Sequence, residues 1–302
     1  MTKNIAIIDL GSSSFYLCIV QVDARKRFKT LRRHKFKAQL RLGINEQGEL
    51  TLAAQQQALA YLAEFATLLQ RYQVKQVHAV GTYTLRTIKN SEAFLVQAQQ
   101  TLGFSIEIIS GDEEARLVYV GATAKRSSRH QTLVVDIGGG STELIIGKGR
   151  EILRSVSLAM GCVSFQQRFF ADGALTRQAF DLAITAAREV LVPINPEFNQ
   201  AGWQACVGFS GTIQMISRVM KAGGLSGGSI DAEGLDQVID KLISFHRVEA
   251  IVLPGLREDR ASLLAGGVAI LKAIFEVLPI RQLTLSLGGV REGLLVELLQ
   301  RI

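Results

Sequence analysis

The sequence predicts an α/β protein built from two related domains. Short apolar runs alternate with amphipathic stretches along the chain, the signature of strands and helices packed in layers. A length of 302 residues suits two domains and buries a sizeable core without staples. Most informative is a repeat: IAIIDLGSSSFYLCIV at 5–20 and TLVVDIGGGSTELIIG at 132–147 share an apolar strand, an Asp, a Gly, small residues and a second apolar strand. Each copy is followed by a later strand that runs into a small turn, AVGTYTLR at 79–86 and VGFSGTIQ at 207–214. The expected domains are residues 1–127 and 128–302, meeting in the polar stretch KRSSRHQ at 125–131.

In chain order, strands are expected at 4–9, 15–22, 75–80, 104–109, 132–136, 142–147, 203–208 and 282–287. Helices are expected at 52–71, 91–102, 112–125, 175–192, 212–221, 232–245, 259–277 and 291–301. The clearest is 52–71, where Leu52, Leu59, Leu62, Phe65, Ala66 and Leu69 share a face opposite Gln and Glu. Residues 223–229, rich in Gly and Ser, read as a surface loop.

Composition narrows the function classes. With 48% apolar and 20% charged residues and only four Pro, the chain is neither disordered nor a proline-rich linker. No apolar run approaches the roughly 18 residues of a spanning helix, so no membrane role is expected. The run IAII, interrupted by Asp9, makes a poor secretory signal, and a cytoplasmic location is expected. Cys18, Cys162 and Cys206 are widely spaced without a CxxC pattern, and the four His are scattered singly. Any metal is therefore expected to be a hard ion held by oxygen.

The net charge of +7 has one source. Nine Lys or Arg and no acid lie between residues 24 and 41, and the remaining basic residues are fewer than the 27 acids. The segment reads either as a solvated hairpin or loop, or as a field that gathers a polyanion such as polyphosphate or a nucleotide. Without interleaved aromatics to stack bases, nucleic acid is disfavoured.

The candidate chemistry sits in the repeated turns. Gly11, Ser12, Ser13 and Ser14 form one; Gly138, Gly139, Gly140, Ser141 and Thr142 form the other. Gly and small hydroxyl residues leave backbone N–H groups open to a phosphate, and neither turn has the Walker or Rossmann spacing. Asp9 and Asp136, at the strand ends, are candidates to hold Mg²⁺ against phosphate oxygens, with Glu143 as a further ligand; hydrogen bonds to their own turns are the plain alternative. In ISGDEEARL, helix capping accounts for two of Asp112, Glu113 and Glu114, leaving one carboxylate to deprotonate a water for attack on phosphorus. Arg86, closing GTYTLR, suits the charge on a transferring phosphoryl group.

The phrases IDLGSSSF, TLR, IEIISGDEEARL, LVVDIGGGSTELIIG, MGCVSFQQRFF, GFSGT, LPGLREDR and LSLGGVREGLL resemble, in order, those of the exopolyphosphatase and guanosine pentaphosphate phosphohydrolase family, across residues 4–298. The resemblance implies the fold of actin, sugar kinases and heat-shock ATPases, a duplicated ribonuclease-H-like α/β architecture with a cleft. It also implies Mg²⁺-dependent release of terminal phosphate from polyphosphate or guanosine pentaphosphate, with guanosine tetraphosphate a further candidate ligand and a homodimer as the assembly. Carried over by motif, Glu114 is the general base, Glu113 structural, Asp136 the metal aspartate and Glu143 its partner. Arg86, Gly138 to Thr142, Gly211 and Thr212 fall on phosphate-binding positions. In the family the last helix packs on the first domain, which would place residues 291–302 there.

Three departures from the family pattern stand out. Ser13 stands for an Asn, which is expected to remove a hydrogen bond to phosphate or metal; Leu287 stands for an Asp; and the sequence stops at 302 where many relatives continue into helical C-terminal domains, so short substrates are expected. Two competing functions follow. The first is a kinase on the same fold with an adenine pocket at Gly288 and Gly289, and the second is a non-catalytic sensor of polyphosphate or alarmone.

Overall fold

The computed structural model describes residues 2–124, 130–225, 227–286 and 288–301, without the side chain of Arg301. Two compact units emerge, Met1–Leu117 with Val290–Ile302, and Val118–Gly289. The first contains β1 (Lys3–Leu10), β2 (Phe15–Val22), β3 (Phe28–Phe36), α1 (Leu52–Arg71), β4 (Gln76–Gly81), α2 (Tyr83–Thr87), α3 (Ser91–Leu102) and β5 (Ile106–Ile108). Next comes α4 (Gly111–Thr123), within which the two units part. The second contains β6 (Gln131–Ile137), β7 (Thr142–Lys148), β8 (Glu151–Leu158), α5 (Cys162–Phe169), α6 (Arg177–Leu191), α7 (Asn195–Ala201), β9 (Ala205–Gly208), α8 (Gly211–Ala222), α9 (Ala232–Ile243), α10 (Leu264–Val277) and β10 (Thr284–Leu285). The final helix, α11 (Val290–Arg301), returns to the first unit.

The repeat in the sequence is a repeat of topology. One sheet has the order β3-β2-β1-β4-β5 and the other β8-β7-β6-β9-β10, strand for strand the same plan. In each, the first three strands form an antiparallel meander and the last two join in parallel.

Burial explains why these strands read as unbroken apolar runs. Alternate residues of β1 feed two different cores. Ala6, Ile8 and Leu10 pack with Phe15, Leu17, Leu62, Phe65 and Phe94 on one face. Ile5 and Ile7 pack with Val20, Val80, Leu117, Leu294 and Leu298 on the other, so α11 closes the second face. The second unit centres on α10, which is buried all round from Leu264 to Leu271. On α1 the buried face is Ala58, Leu62, Phe65 and Leu69, whereas Leu52, at its first turn, is exposed.

Two strands escape the periodicity reading, and both are edges. The basic segment holds β3, whose Lys29, Arg32, Arg33 and Lys35 are exposed, and β8 occupies the equivalent edge of the other sheet. An edge strand has little apolar surface to bury, and charged side chains guard it against further pairing. Three short helices, α2, α5 and α7, were also not predicted, being too brief for a 3.6-residue pattern. The helix expected at 259–277 is a 3₁₀ turn over Glu258–Leu263 followed by α10.

The boundary expected at 127/128 lies outside the described residues, while the units part earlier, between Leu117 and Val118. Contacts on either half of α4 account for this. Leu117 belongs to the core beneath α11, whereas Tyr119 donates to the Gly149 carbonyl at 3.2 Å and Ala122 accepts from Ser286. Among the described residues no helix is long and apolar enough to cross a membrane. All three Cys are buried and unpaired with one another, and burial pushes their thiol pKa values up.

Because α11 covers one face of the first sheet with Leu294 and Leu298, Leu294→Ala is expected to destabilise the first unit by about 2–5 kcal/mol. Urea unfolding followed by circular dichroism measures it, and a loss below about 1 kcal/mol would mean that α11 is only loosely applied.

Candidate active site

Each unit forms the same turn. In the first, the Gly11 N–H donates to the Ser14 carbonyl at 3.1 Å; in the second, the Gly138 N–H donates to the Ser141 carbonyl at 2.8 Å. Both turns are held from behind through their carbonyls. Those of Ser13 and Ser12 accept from the amides of Gln39 and Arg41 at 3.1 and 3.2 Å. The Gly138 carbonyl accepts from Cys162 at 2.9 Å, and that of Gly139 from Val163 at 3.0 Å, at the start of α5. In a planar trans peptide the N–H opposes the C=O, so the N–H groups of Ser13, Ser14, Gly139 and Gly140 aim to the other side. That arrangement suits an anion.

Side chains fix each turn further. Thr84 on α2 donates to the Ser12 hydroxyl at 2.7 Å, both residues buried, and Thr142 donates to the Met160 carbonyl at 2.7 Å. Gly161 must be glycine, since a Cβ there would sit 2.5 Å from the backbone of Gly139 and Gly140.

The strand rows beside the turns differ in charge. In the second unit, Asp136, Glu143 and Ser157 lie directly opposite one another across β6, β7 and β8, hence on one face. Glu143 is 2% exposed and Asp136 8%, and the Ser157 hydroxyl donates to Glu143 Oε1 at 2.8 Å. Two buried neighbouring carboxylates with a hydroxyl make a hard oxygen donor set that fits Mg²⁺, which takes one or two carboxylates and completes its shell with water and phosphate. No group of three or more His, Cys, Asp or Glu is placed for a metal among the described residues.

In the first unit the corresponding row is Asp9, Tyr16 and Lys35. Here the carboxylate faces a cation: Arg291 of α11 donates from Nε to Asp9 Oδ2 at 2.9 Å, with its guanidinium 4.1 Å from the centre of the Tyr16 ring. Burial pushes the Tyr16 hydroxyl pKa up to about 12, so it stays protonated. Arg291 is a site residue that motif reading passed over, because nothing in VREG shows that its helix returns to the first sheet.

Arg86 and Glu114 come together. Arg86 on α2 donates to the Ile109 carbonyl at 2.7 Å and approaches Glu114 Oε2 with Nη1 and Nη2 at 3.3 and 3.4 Å. The Glu114 side chain is 10% exposed. Glu113, by contrast, is committed to structure: its amide caps on Ser110, and its carboxylate takes two bonds of 2.7 Å from Arg116, which also pairs with Glu297. Arg41 and Arg86 lie over the same Tyr83 ring, at 5.9 and 5.6 Å, so the basic segment ends beside this pair.

In the second unit, Gly211 and Thr212 open α8 behind Ser210, whose φ of 101° places a non-glycine residue in the left-handed half of backbone space. The Ser210 hydroxyl caps the helix by accepting from Ile213 at 3.1 Å. A Cβ on Gly211 would fall on the Arg260 guanidinium, which therefore lies over the helix start. Arg260 is the second residue sequence reasoning missed; within LREDR, Arg257 instead turns outward to Asp259. At Gly289, the space for a Cβ is filled by the Phe209 ring. Leu287 lies outside the described residues.

Comparison with solved structures gives the fold. An exopolyphosphatase from Cytophaga hutchinsonii is 24% identical, with a TM-score of 0.88 over 99% of this chain and 99% of that one. The Aquifex aeolicus PPX-GPPA enzyme is also 24% identical, with a TM-score of 0.79 over 98% of this chain and 100% of that one. The architecture shared with them is the duplicated actin-like fold. The sequence model of the Ppx/GppA phosphatase family matches residues 18–302, beginning just past the first turn. With so much of its length matched, this chain belongs to the Ppx/GppA phosphatase family and is a hydrolase acting on phosphoanhydride bonds.

Proposed function

We propose that the chain is an exopolyphosphatase that releases terminal orthophosphate from linear polyphosphate. The observation that carries this reading is that in each unit a turn has its carbonyls engaged from behind, so that the planar peptide turns the following N–H groups to the opposite side, the geometry of an anion-binding turn. Glu114 accepts the proton of a water as its oxygen attacks the terminal phosphorus, and the bridging oxygen leaves with the shortened chain. Arg86 orients Glu114 and meets the charge that grows on the transferring group. Asp136 and Glu143 would hold Mg²⁺, whose chemistry there is to neutralise phosphate oxygens. Asp9, bonded to Arg291, anchors the first turn's strand in this reading and is not a metal ligand.

The contact of Phe209 with Gly289 favours a hydrolase over a kinase, because an aromatic ring of the protein already lies against one of the two glycines where adenine would stack. Guanosine pentaphosphate presents the same terminal phosphate and is the comparison substrate in the test.

Orthophosphate release from tripolyphosphate, long polyphosphate and guanosine pentaphosphate should show the highest kcat/KM for a polyphosphate. Glu114→Gln should lower kcat at least about a hundredfold. Unaltered turnover in that variant would remove the mechanism. Separately, Gly161→Ala forces a Cβ into the backbone of the second turn; it is expected to raise KM about tenfold and cost about 1–3 kcal/mol of stability. Kinetics alongside thermal unfolding distinguish the two effects, and an unchanged KM would mean that the turn does not bind substrate.

A further inference from the structure

The basic segment becomes directional once its strand is placed. Pairing of β3 with β2 sets Arg33 opposite Cys18 and Lys35 opposite Tyr16, so both cations lie on the face that carries Tyr16. Arg32 and His34, opposite Ile19 and Leu17, lie on the other face. From Lys35 the chain runs through Lys37 to Gln39 and Arg41, whose amides hold the carbonyls of Ser13 and Ser12 in the first turn. Arg33, Lys35 and Lys37 are exposed; the first two are about 6–7 Å apart along the strand, and Lys37 follows directly after its end. The row they approach ends on Tyr16, Asp9 and Arg291. Glu292 acts on Tyr16 and Cys18 from α11, so around Tyr16 the cations Arg33, Lys35 and Arg291 stand against the carboxylates Asp9 and Glu292.

We infer that Arg33, Lys35 and Lys37 form a track that binds the distal part of a linear inorganic polyphosphate and leads it to the Gly11–Ser14 turn. The inference rests on the polyphosphate reading above and adds to it the surface that recognises chain length. Two cations on one strand face, with a third directly after the strand on the way to the turn, match a polymer that carries charge on every unit, and a shorter anion would reach only the turn. Nucleic acid fits less well. Tyr16 is covered by Arg291 and Phe36 lies on the opposite face, stacked on Tyr61, which leaves Phe28, opposite Val22, as the exposed ring of β3 on this face, and one ring does not stack successive bases.

Two triple variants remove equal charge from the same segment. Arg33→Ala/Lys35→Ala/Lys37→Ala strips the track; Arg25→Ala/Lys29→Ala/Arg32→Ala strips the hairpin tip and the opposite face. Fluorescence anisotropy with an end-labelled polyphosphate of about 25 units at low salt should show binding weakened at least about tenfold in the first and less than about threefold in the second. Steady-state kinetics should show the first triple raising KM for the long polymer at least about fivefold more than for tripolyphosphate.

Equal weakening in both triples would mean a diffuse field and would overturn the track, as would no weakening in either. Displacement of the labelled polyphosphate by an oligothymidylate of matched charge, at equal concentration, would overturn the choice of polymer. Polyphosphate hydrolysis without track dependence sinks this inference and leaves the proposed function standing. Track-dependent binding without hydrolysis does the reverse.

Discussion

The architecture depends on a constraint of the peptide group. Once the carbonyl of a turn residue is engaged from one side, planarity sends the following N–H to the other. Both sheets use this to turn a tight hairpin into a donor surface, yet they reach it with different parts. The first unit recruits the extended chain at Gln39 and Arg41, and the second the opening residues of α5. The common requirement is a rigid element behind the turn. In the second unit it comes so close that Gly161 tolerates no side chain. The strand pairing beneath each turn, with Asp9 opposite Tyr16 and Asp136 opposite Glu143, supplies the remaining rigidity.

Duplication gave two equivalent rows, and substitution made them electrostatic opposites. Asp136, Glu143 and Ser157 form an acidic row that favours a cation. Asp9, Tyr16 and Lys35, joined by Arg291, form a row in which the single carboxylate is already paired and further positive charge lies along the strand edge. Buried or half-buried carboxylates are costly unless matched, and in the first unit the match to Asp9 is Arg291.

Much of this was legible in the sequence because burial writes itself as periodicity. The repeat, the helix at 52–71 and the central strands all sit where apolar residues have a core to fill. The ordered motifs also pointed to Glu114, Arg86 and the two turns. What stayed hidden was whatever depends on contacts distant in sequence. The strands β3 and β8 carry too little buried surface to show a pattern. The bond from Arg291 to Asp9 spans 282 positions, and no local spacing announces it. Arg260 sits in a charged stretch where inward and outward arginines look alike.

Ser210 holds a costly backbone conformation at the start of α8. With φ at 101° and ψ at 158°, it occupies backbone space that is close to glycine-only and costs about 1–3 kcal/mol. The bond from its hydroxyl to the Ile213 amide is worth about 1 kcal/mol and recovers only part of that. Glycine would relieve the strain, and a cap of ordinary geometry could start α8 without it, so stability alone does not select this conformation. The conformation fixes where Gly211 and Thr212 begin the helix, and with them the place at which the Arg260 guanidinium comes to rest. Strain held at the mouth of a helix, against glycine and under an arginine, marks the start of α8 as a candidate position for an anion.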